Sequence, residues 1–384
     1  MPTVRVAVTP IMFRWARERA RLALAALESA FPKLAEWERG ELQPTLKQLE
    51  QFARRTHTPV GYFFLASPPD ETVPIPDFRT FRDEDVARPS ANLLETIYTC
   101  QRRQGWYRDF AEANGHTALP FVGSIRTGTD VPAAATLIRT MLRLDLSERQ
   151  AERTWEAALT SLIRLVEEAG IMVMKNGVVG NNTHRPLDRE EFRGFALADT
   201  LAPLIFVNAA DSKSGQMFTL AHELVHVFAN LTALDDASPR RISRDVVERW
   251  CNNVAAELLV PLDIFASAYN RETDVGQETQ RLARRFKVST LVILRRMFDA
   301  RGITRDAFWA AYDAELARLK EHAPSGSGGD FYATETVRVG RRFATALVTS
   351  TLEGATLYRD AFRLLGIAKT ETFNEFSAQL GVVA

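Results

Sequence analysis

Apolar residues recur at spacings of three and four between Pro10 and Phe64, among them Leu22, Ala25, Ala26, Leu34, Trp37, Leu46, Leu49 and Phe52, a pattern that predicts several short helices around one core. Ser67-Pro68-Pro69 through Pro74-Ile75-Pro76 ends it, because proline lacks the N–H a helix needs and holds its predecessor extended. Residues 90–120 return to a helical rhythm with Trp106, Tyr107 and Phe110 toward a core, and Asp130 ahead of Pro132 predicts an N-cap and first turn. One long helix is predicted from about Glu148 to Ala169, stopped by Gly170.

The rhythm then changes. Ile171-Met172-Val173-Met174, Phe192 to Leu197 and Leu204-Ile205-Phe206-Val207 read as strands, with a turn-rich stretch from Gly177 to Arg185 between the first two. Helices follow at about Asp211 to Asn230 and Ser243 to Leu259, the second halted by Pro261. Thr279 to Phe286, the turn Lys287-Val288-Ser289 and Thr290 to Asp299 predict a helix, a turn and a helix. Ser325-Gly326-Ser327-Gly328-Gly329 has linker composition, and a helical tail is expected from Thr334 to Leu380. The pattern is that of an α+β protein, mostly helical, with one small sheet.

Boundaries placed at these shifts give five segments: a helical module at 1–68, a helical connector at 69–150, an α+β core at 151–270, a helix-turn-helix-like unit at 271–324, and a linker with helical tail at 325–384. Forty-six per cent hydrophobic residues over 384 positions supply a large core. Lys+Arg and Asp+Glu both number 48, and a net charge of zero argues against a protein that coats nucleic acid or membrane over its whole surface. The zero is a sum of unlike parts: residues 1–68 hold ten Lys/Arg against six Asp/Glu, and residues 271–305 hold nine against four. No apolar run approaches membrane-spanning length, the first residues lack a signal-peptide core, and two cysteines, Cys100 and Cys251, cannot build a disulfide framework. A cytoplasmic protein is expected.

Chemistry concentrates at Phe218-Thr219-Leu220-Ala221-His222-Glu223-Leu224-Val225-His226, a His-Glu-x-x-His sequence inside an apolar helical pattern. Residues four apart share a helix face, so His222 and His226 can present imidazole nitrogens to one ion while Glu223 reaches a water beside it. Zinc makes such a water acidic near pH 7, Glu223 takes the proton, and the nucleophile attacks a carbonyl: this is peptide-bond hydrolysis. Chance alone places the five-residue pattern in roughly one chain in a hundred of this length. Its position on an amphipathic helix after two strands is the context a zincin-like peptidase core requires.

A catalytic zinc takes three protein ligands. The next helix offers Asp245, Glu248 and Glu257. Glu248 shares a face with Asn252, and the small Ala255 and Ala256 beside that face allow close helix approach; Glu257 lies about half a turn away and cannot serve the same ion. Glu248 is therefore the expected third ligand. Cys251 points off that face and reads as a buried structural thiol. His184 reads as a surface histidine in a turn, His57, His116 and His322 have no partner spacing, and no spacing selects Tyr332 or Arg185 as an oxyanion donor.

These residues, with Glu248-x-x-Cys251-Asn252-x-x-Ala255-Ala256-x-Leu258-Leu259-x-Pro261, resemble the ImmA/IrrE family of metallopeptidases, whose pattern there is Glu-x-x-Ala-Asn-x-Phe-Ala-x-x-Leu-Leu-Met-Pro. Cys251, Val254 and Val260 depart from it at packing positions. The resemblance also implies Glu248 as third ligand and an XRE-type repressor as the protein cleaved or otherwise inactivated in a stress, prophage or mobile-element switch; zinc is the expected ion, and histidine and carboxylate ligands accept manganese as well. Trp37-Glu38-Arg39-Gly40-x-x-x-Pro44-Thr45-Leu46 and Thr58-Pro59-Val60-Gly61-Tyr62-Phe63-Phe64-Leu65 resemble the XRE helix-turn-helix that longer members carry, and Ile75-Pro76-Asp77-Phe78-Arg79 and the tail resemble them less specifically.

Whether the N-terminal module reads DNA is a separate matter. A recognition helix presents Arg, Gln, Asn, Ser or Thr to base edges, whereas alignment on Trp37 presents Phe31, Pro32, Lys33, Ala35 and Glu36. A protein-interaction or degenerate role is expected there. The cluster Arg281, Arg284, Arg285, Lys287, Arg295 and Arg296 is the stronger electrostatic candidate, for DNA or for docking the repressor. The alternatives to an enzyme are a DNA-binding regulator and a toxin–antitoxin partner whose core only binds metal or protein. Retention of Glu223 favours hydrolysis, because binding alone needs the histidines and not the base.

Overall fold

The structure is a computed structural model that describes residues 4–76, 89–234, 246–321 and 331–382, with the side chains of 319–321 and 331–334 left out. Asp77, Phe78 and Arg79, the candidate ligand Asp245, His322, the Gly/Ser linker and the side chain of Tyr332 lie outside the described residues. Two compact units account for the rest: residues 4–74 with 89–98, and residues 75–76 with 99–382.

The first unit contains α1 (Pro10–Arg19), α2 (Leu34–Arg39) and α3 (Leu46–Arg55), with 3₁₀ turns at Leu24–Ala26 and Val60–Phe64. Phe13, Phe31, Trp37, Phe52 and Phe63 are buried against one another, with ring centroids 5.3–6.3 Å apart. Thr45 and Gln48 form a capping box that starts α3. Helix α2 has only six residues, and Phe31, one of the positions aligned with base-reading side chains, is buried in the aromatic cluster. Much of the unit's positive charge is neutralised locally: Arg17 pairs with Glu38 at 2.7 Å, Arg39 with Glu41 at 2.7 Å, Lys33 with Glu36 at 3.6 Å, and Arg19 with Glu71.

Helix α4 (Ala91–Ala113) is followed by α5 (Val131–Leu142), α6 (Leu146–Ala151) and α7 (Trp155–Glu168). Asp130 accepts the Ala133 N–H at 3.1 Å, the N-cap expected there. The single helix expected from Glu148 to Ala169 is instead two, because Thr154 turns extended and its hydroxyl accepts the Ala157 N–H, starting α7 afresh. A four-stranded sheet, β1 (Met172–Asn176), β4 (Gly194–Leu197), β5 (Leu204–Asn208) and β6 (Ala233–Leu234), has the order β1-β5-β4-β6. Strand β1 runs parallel to β5, and β4 antiparallel to both β5 and β6. The stretch expected to be turns pairs as a small hairpin of β2 (Val178–Val179) and β3 (Asn182–Pro186).

Helices α8 (Lys213–Phe228) and α9 (Val246–Leu259) pack against each other, α8 also lying on β4 and β5 and α9 also lying on α5. Next come α10 (Leu262–Ala268), α11 (Val275–Phe286), α12 (Thr290–Asp299) and α13 (Arg305–Glu321), which share one continuous apolar core with α5, α7, α8 and α9. Most of α12 is buried, so the second helix of this helix-turn-helix-like unit is a core element whose face is not presented to a groove. Of its basic cluster, Arg281 pairs with Glu278, Arg295 with Asp299, and the buried Arg296 with Glu257 and Asp299.

The tail is helical as expected and consists of four helices, α14 (Phe331–Val339), α15 (Arg341–Leu352), α16 (Tyr358–Leu365) and α17 (Thr370–Leu380). The chain turns left-handed at Gly340, Gly354 and Gly366, between α14 and α15, after α15 and after α16. At Gly340 (φ +80°) the backbone of β1 also comes so close that a Cβ would sit 2.6 Å from the Val173 carbonyl oxygen. Among the described residues no helix is long and apolar enough to cross a membrane.

Candidate metal centre

Ser212 starts α8 by accepting the Gly215 N–H at 3.1 Å, and from Gly215 onward nearly every residue of the helix is buried. His222 and His226, one turn apart, point the same way: their Nε2 atoms stand 2.9 Å from each other. Glu248, in the first turn of α9, completes the arrangement, with Oε2 3.1 Å from His222 Nε2 and Oε1 3.3 Å from His226 Nε2. Exposure is 1 % or less for all three and for Glu223. A tetrahedral ion with bonds of about 2.0–2.1 Å holds its ligand atoms about 3.3 Å apart, so the donors need shift by only a few tenths of an ångström to take one.

The electrostatics fit the same use. Burial lowers the His226 pKa, and nearby His222 adds to the shift against the opposing pull of Glu248, so the ring is neutral and its lone pair available at neutral pH. Burial alone would push the Glu248 carboxyl up, but the neighbouring His222 and the hydrogen bonds of both imidazoles outweigh it and hold the group well below the usual carboxylate range. Two neutral-capable imidazoles and one carboxylate form a donor set that zinc accepts.

Glu223 belongs to the face of α8 that meets β4. A Cβ built on Gly194, at the start of that strand, would stand 3.2 Å from Glu223 Oε1 and 2.5 Å from Thr219 Cγ2. Gly194 therefore leaves the space into which the carboxylate reaches. Sequence reading passed over it, although a lone glycine opening a strand is itself a signal of close approach.

The other candidates lie elsewhere. Glu257 is on the opposite side of α9 from the cluster, where its carboxylate accepts from Arg296 Nη2 at 2.9 Å and from the Leu262 N–H at 3.2 Å. Cys251 is a buried free thiol. His184 is exposed on β3, with Arg185 buried beside it; His116 is exposed, and His57 ends a helix with a left-handed backbone (φ +51°). Among the described residues, His222, His226 and Glu248 are the cluster of potential metal ligands.

Residues 166–298 match the IrrE N-terminal-like domain, and residues 339–379 match a domain of unknown function, DUF8813. A stretch of 91 residues is 33% identical to the radiation response metalloprotease IrrE of Deinococcus radiodurans, covering 22% of this chain and 28% of that protein. The likeness thus spans under a third of the relative's length. The match to the IrrE N-terminal-like domain covers neither the N-terminal unit nor helices α4 to α6.

Proposed function

Residues 166–298 form a domain of the ImmA/IrrE metallopeptidase family, and from that premise we propose that the protein is a zinc-dependent endopeptidase whose substrate is a helix-turn-helix repressor. The observation that carries the proposal is the buried convergence of His222, His226 and Glu248 with Glu223 on the adjoining face of the same helix. His222 and His226 would hold the ion through Nε2 and Glu248 through its carboxylate. A bound zinc ion supplies Lewis acidity, polarising a peptide carbonyl and making water acidic near neutral pH.

In this reading Glu223 moves the proton. Its carboxylate takes one from the attacking water and delivers it to the departing amine nitrogen, and its buried position beside Gly194 keeps bulk water away from the exchange. Glu248 and the two histidines do not change protonation in this cycle; they fix where the reaction occurs. The N-terminal unit suits recognition of a protein better than of DNA, because Arg17, Arg19, Lys33 and Arg39 are already paired with carboxylates and Phe31 is buried.

The test is co-expression of the full chain with candidate helix-turn-helix repressors from the same genome, comparing wild type with Glu223→Gln at equal metal content. Cleavage by wild type alone is expected. Cleavage by both proteins, or by neither when both carry metal, overturns the reading.

A further inference from the structure

Helix α9 must place Glu248 against two histidines on another helix, and in a well-formed metal site the metal–ligand distances match their preferred values to within about 0.2 Å. A slide of α9 along its axis is therefore the motion the fold has to prevent. At the first turn, the indole N–H of the largely buried Trp250 donates to the Thr129 carbonyl at 2.7 Å. At the last turn the helix has a defect written in its sequence. The Glu257 carbonyl would accept from the residue four positions on, but that residue is Pro261, which has no N–H.

Arg139, on α5, supplies the missing donor to the Glu257 carbonyl at 2.8 Å. Arg149, on α6 and 3 % exposed, donates to the Leu259 carbonyl two residues further. Two cations at the carbonyl end of a helix also complement its dipole. Thr129, Arg139 and Arg149 come from one stretch of chain, residues 126–151, which bonds both ends of α9 and lies outside the region that matches the IrrE-like domain.

We propose that residues 126–151 are a working part of the metal centre, a strut that fixes the axial position of α9, with Trp250, Arg139 and Arg149 as positioning residues for Glu248. The proposal rests on the reading of His222, His226 and Glu248 as a metal site. It extends the functional unit to the N-terminal side of the region of family likeness.

The test uses the full chain, Trp250→Phe, the double variant Arg139→Met/Arg149→Met, and Arg103→Met as a control, since Arg103 is a buried arginine bonded to the distant Leu364 carbonyl. Zinc affinity is measured by competition with a chromophoric chelator, and the melting temperature is read with and without zinc. Strut variants should keep native circular dichroism but bind zinc about 10–100-fold more weakly, with a smaller zinc-induced rise in melting temperature. The control should melt earlier and bind zinc as wild type does. Earlier melting with zinc affinity within twofold of wild type would make the strut merely structural and overturn the proposal. Should the double variant fail to fold, Trp250→Phe, which keeps an aromatic side chain, smaller than the indole, and removes the donor, decides alone. Failure of wild type to bind zinc sinks the metal-site reading and this inference together, whereas normal binding by wild type and Trp250→Phe alike sinks the inference only.

Discussion

Glu167, near the end of α7, has its carboxylate at the N-terminus of α15, where two influences oppose each other. Its Oε1 accepts the Arg342 N–H at 3.0 Å, and a helix N-terminus favours negative charge. Burial disfavours that charge and wins, pushing the carboxyl from an ordinary value of 4.5 up to about 7. A carboxyl whose pKa is raised by folding binds its proton more tightly in the folded state. Stability is therefore greatest below the unfolded value and falls as pH climbs from about 4.5 to about 7. At about 1.4 kcal/mol per pH unit, the loss is about 3 kcal/mol, an upper figure since the side chain keeps some contact with water. Glu167→Gln keeps an oxygen for the Arg342 N–H and removes the ionisation. Urea unfolding of both proteins at pH 5 and pH 8 should give nearly equal stabilities at pH 5 and a variant more stable by about 2–3 kcal/mol at pH 8. A variant less stable than wild type at pH 8, with the pH slope unchanged, would mean that the helix terminus outweighs burial and would refute the reasoning.

Four further outcomes follow from the geometry. Glu223→Gln should lower proteolysis by about 10²–10⁴-fold while metal content stays at the wild-type level, checked by elemental analysis beside a cleavage assay. Metal content should fall strongly in Glu248→Ala and persist in Glu257→Ala, whose carboxylate serves Arg296 and α10; the reverse pattern would assign the third ligand to the wrong glutamate. Gly340→Ala should cost about 2 kcal/mol, read as a lower melting temperature, because the new Cβ meets the Val173 carbonyl and the backbone is left-handed there. Cys100, whose thiol burial pushes up to about 12, should not react with a thiol reagent until the protein unfolds; rapid labelling in the native state would contradict its placement.

What could be read from the sequence was local. The spacing of His222 and His226 encodes their shared face, the strand-like runs around residues 171–174 and 204–207 lie in β1 and β5, and Asp130 announced its helix through its own chemistry. Periodicity could not show where helices break, because the breaks at Thr154 and Gly340 are set by local backbone conformation, extended at the first and left-handed at the second. The hairpin at 178–186 was hidden for a related reason: β2 has only two residues between Gly177 and Gly180, β3 is polar, and pairing rather than propensity makes them. Least legible were the bonds from Thr129, Arg139 and Arg149 to α9, which join residues more than a hundred positions apart and leave no periodic trace. The basic segment 271–305 shows a mixed case, since Glu278 and Asp299 lie three and four positions from Arg281 and Arg295 on the same helices, whereas Glu257, the partner of the buried Arg296, is found only in the fold.

The measurement that reaches the central claim most directly is anomalous diffraction at the zinc edge from crystals of the full chain grown with zinc. One strong peak is predicted, about 2.0–2.2 Å from His222 Nε2, His226 Nε2 and a Glu248 oxygen, with Glu223 near the ion but not bound to it. A peak ligated by Glu257 or Cys251, or none on α8, would contradict the account.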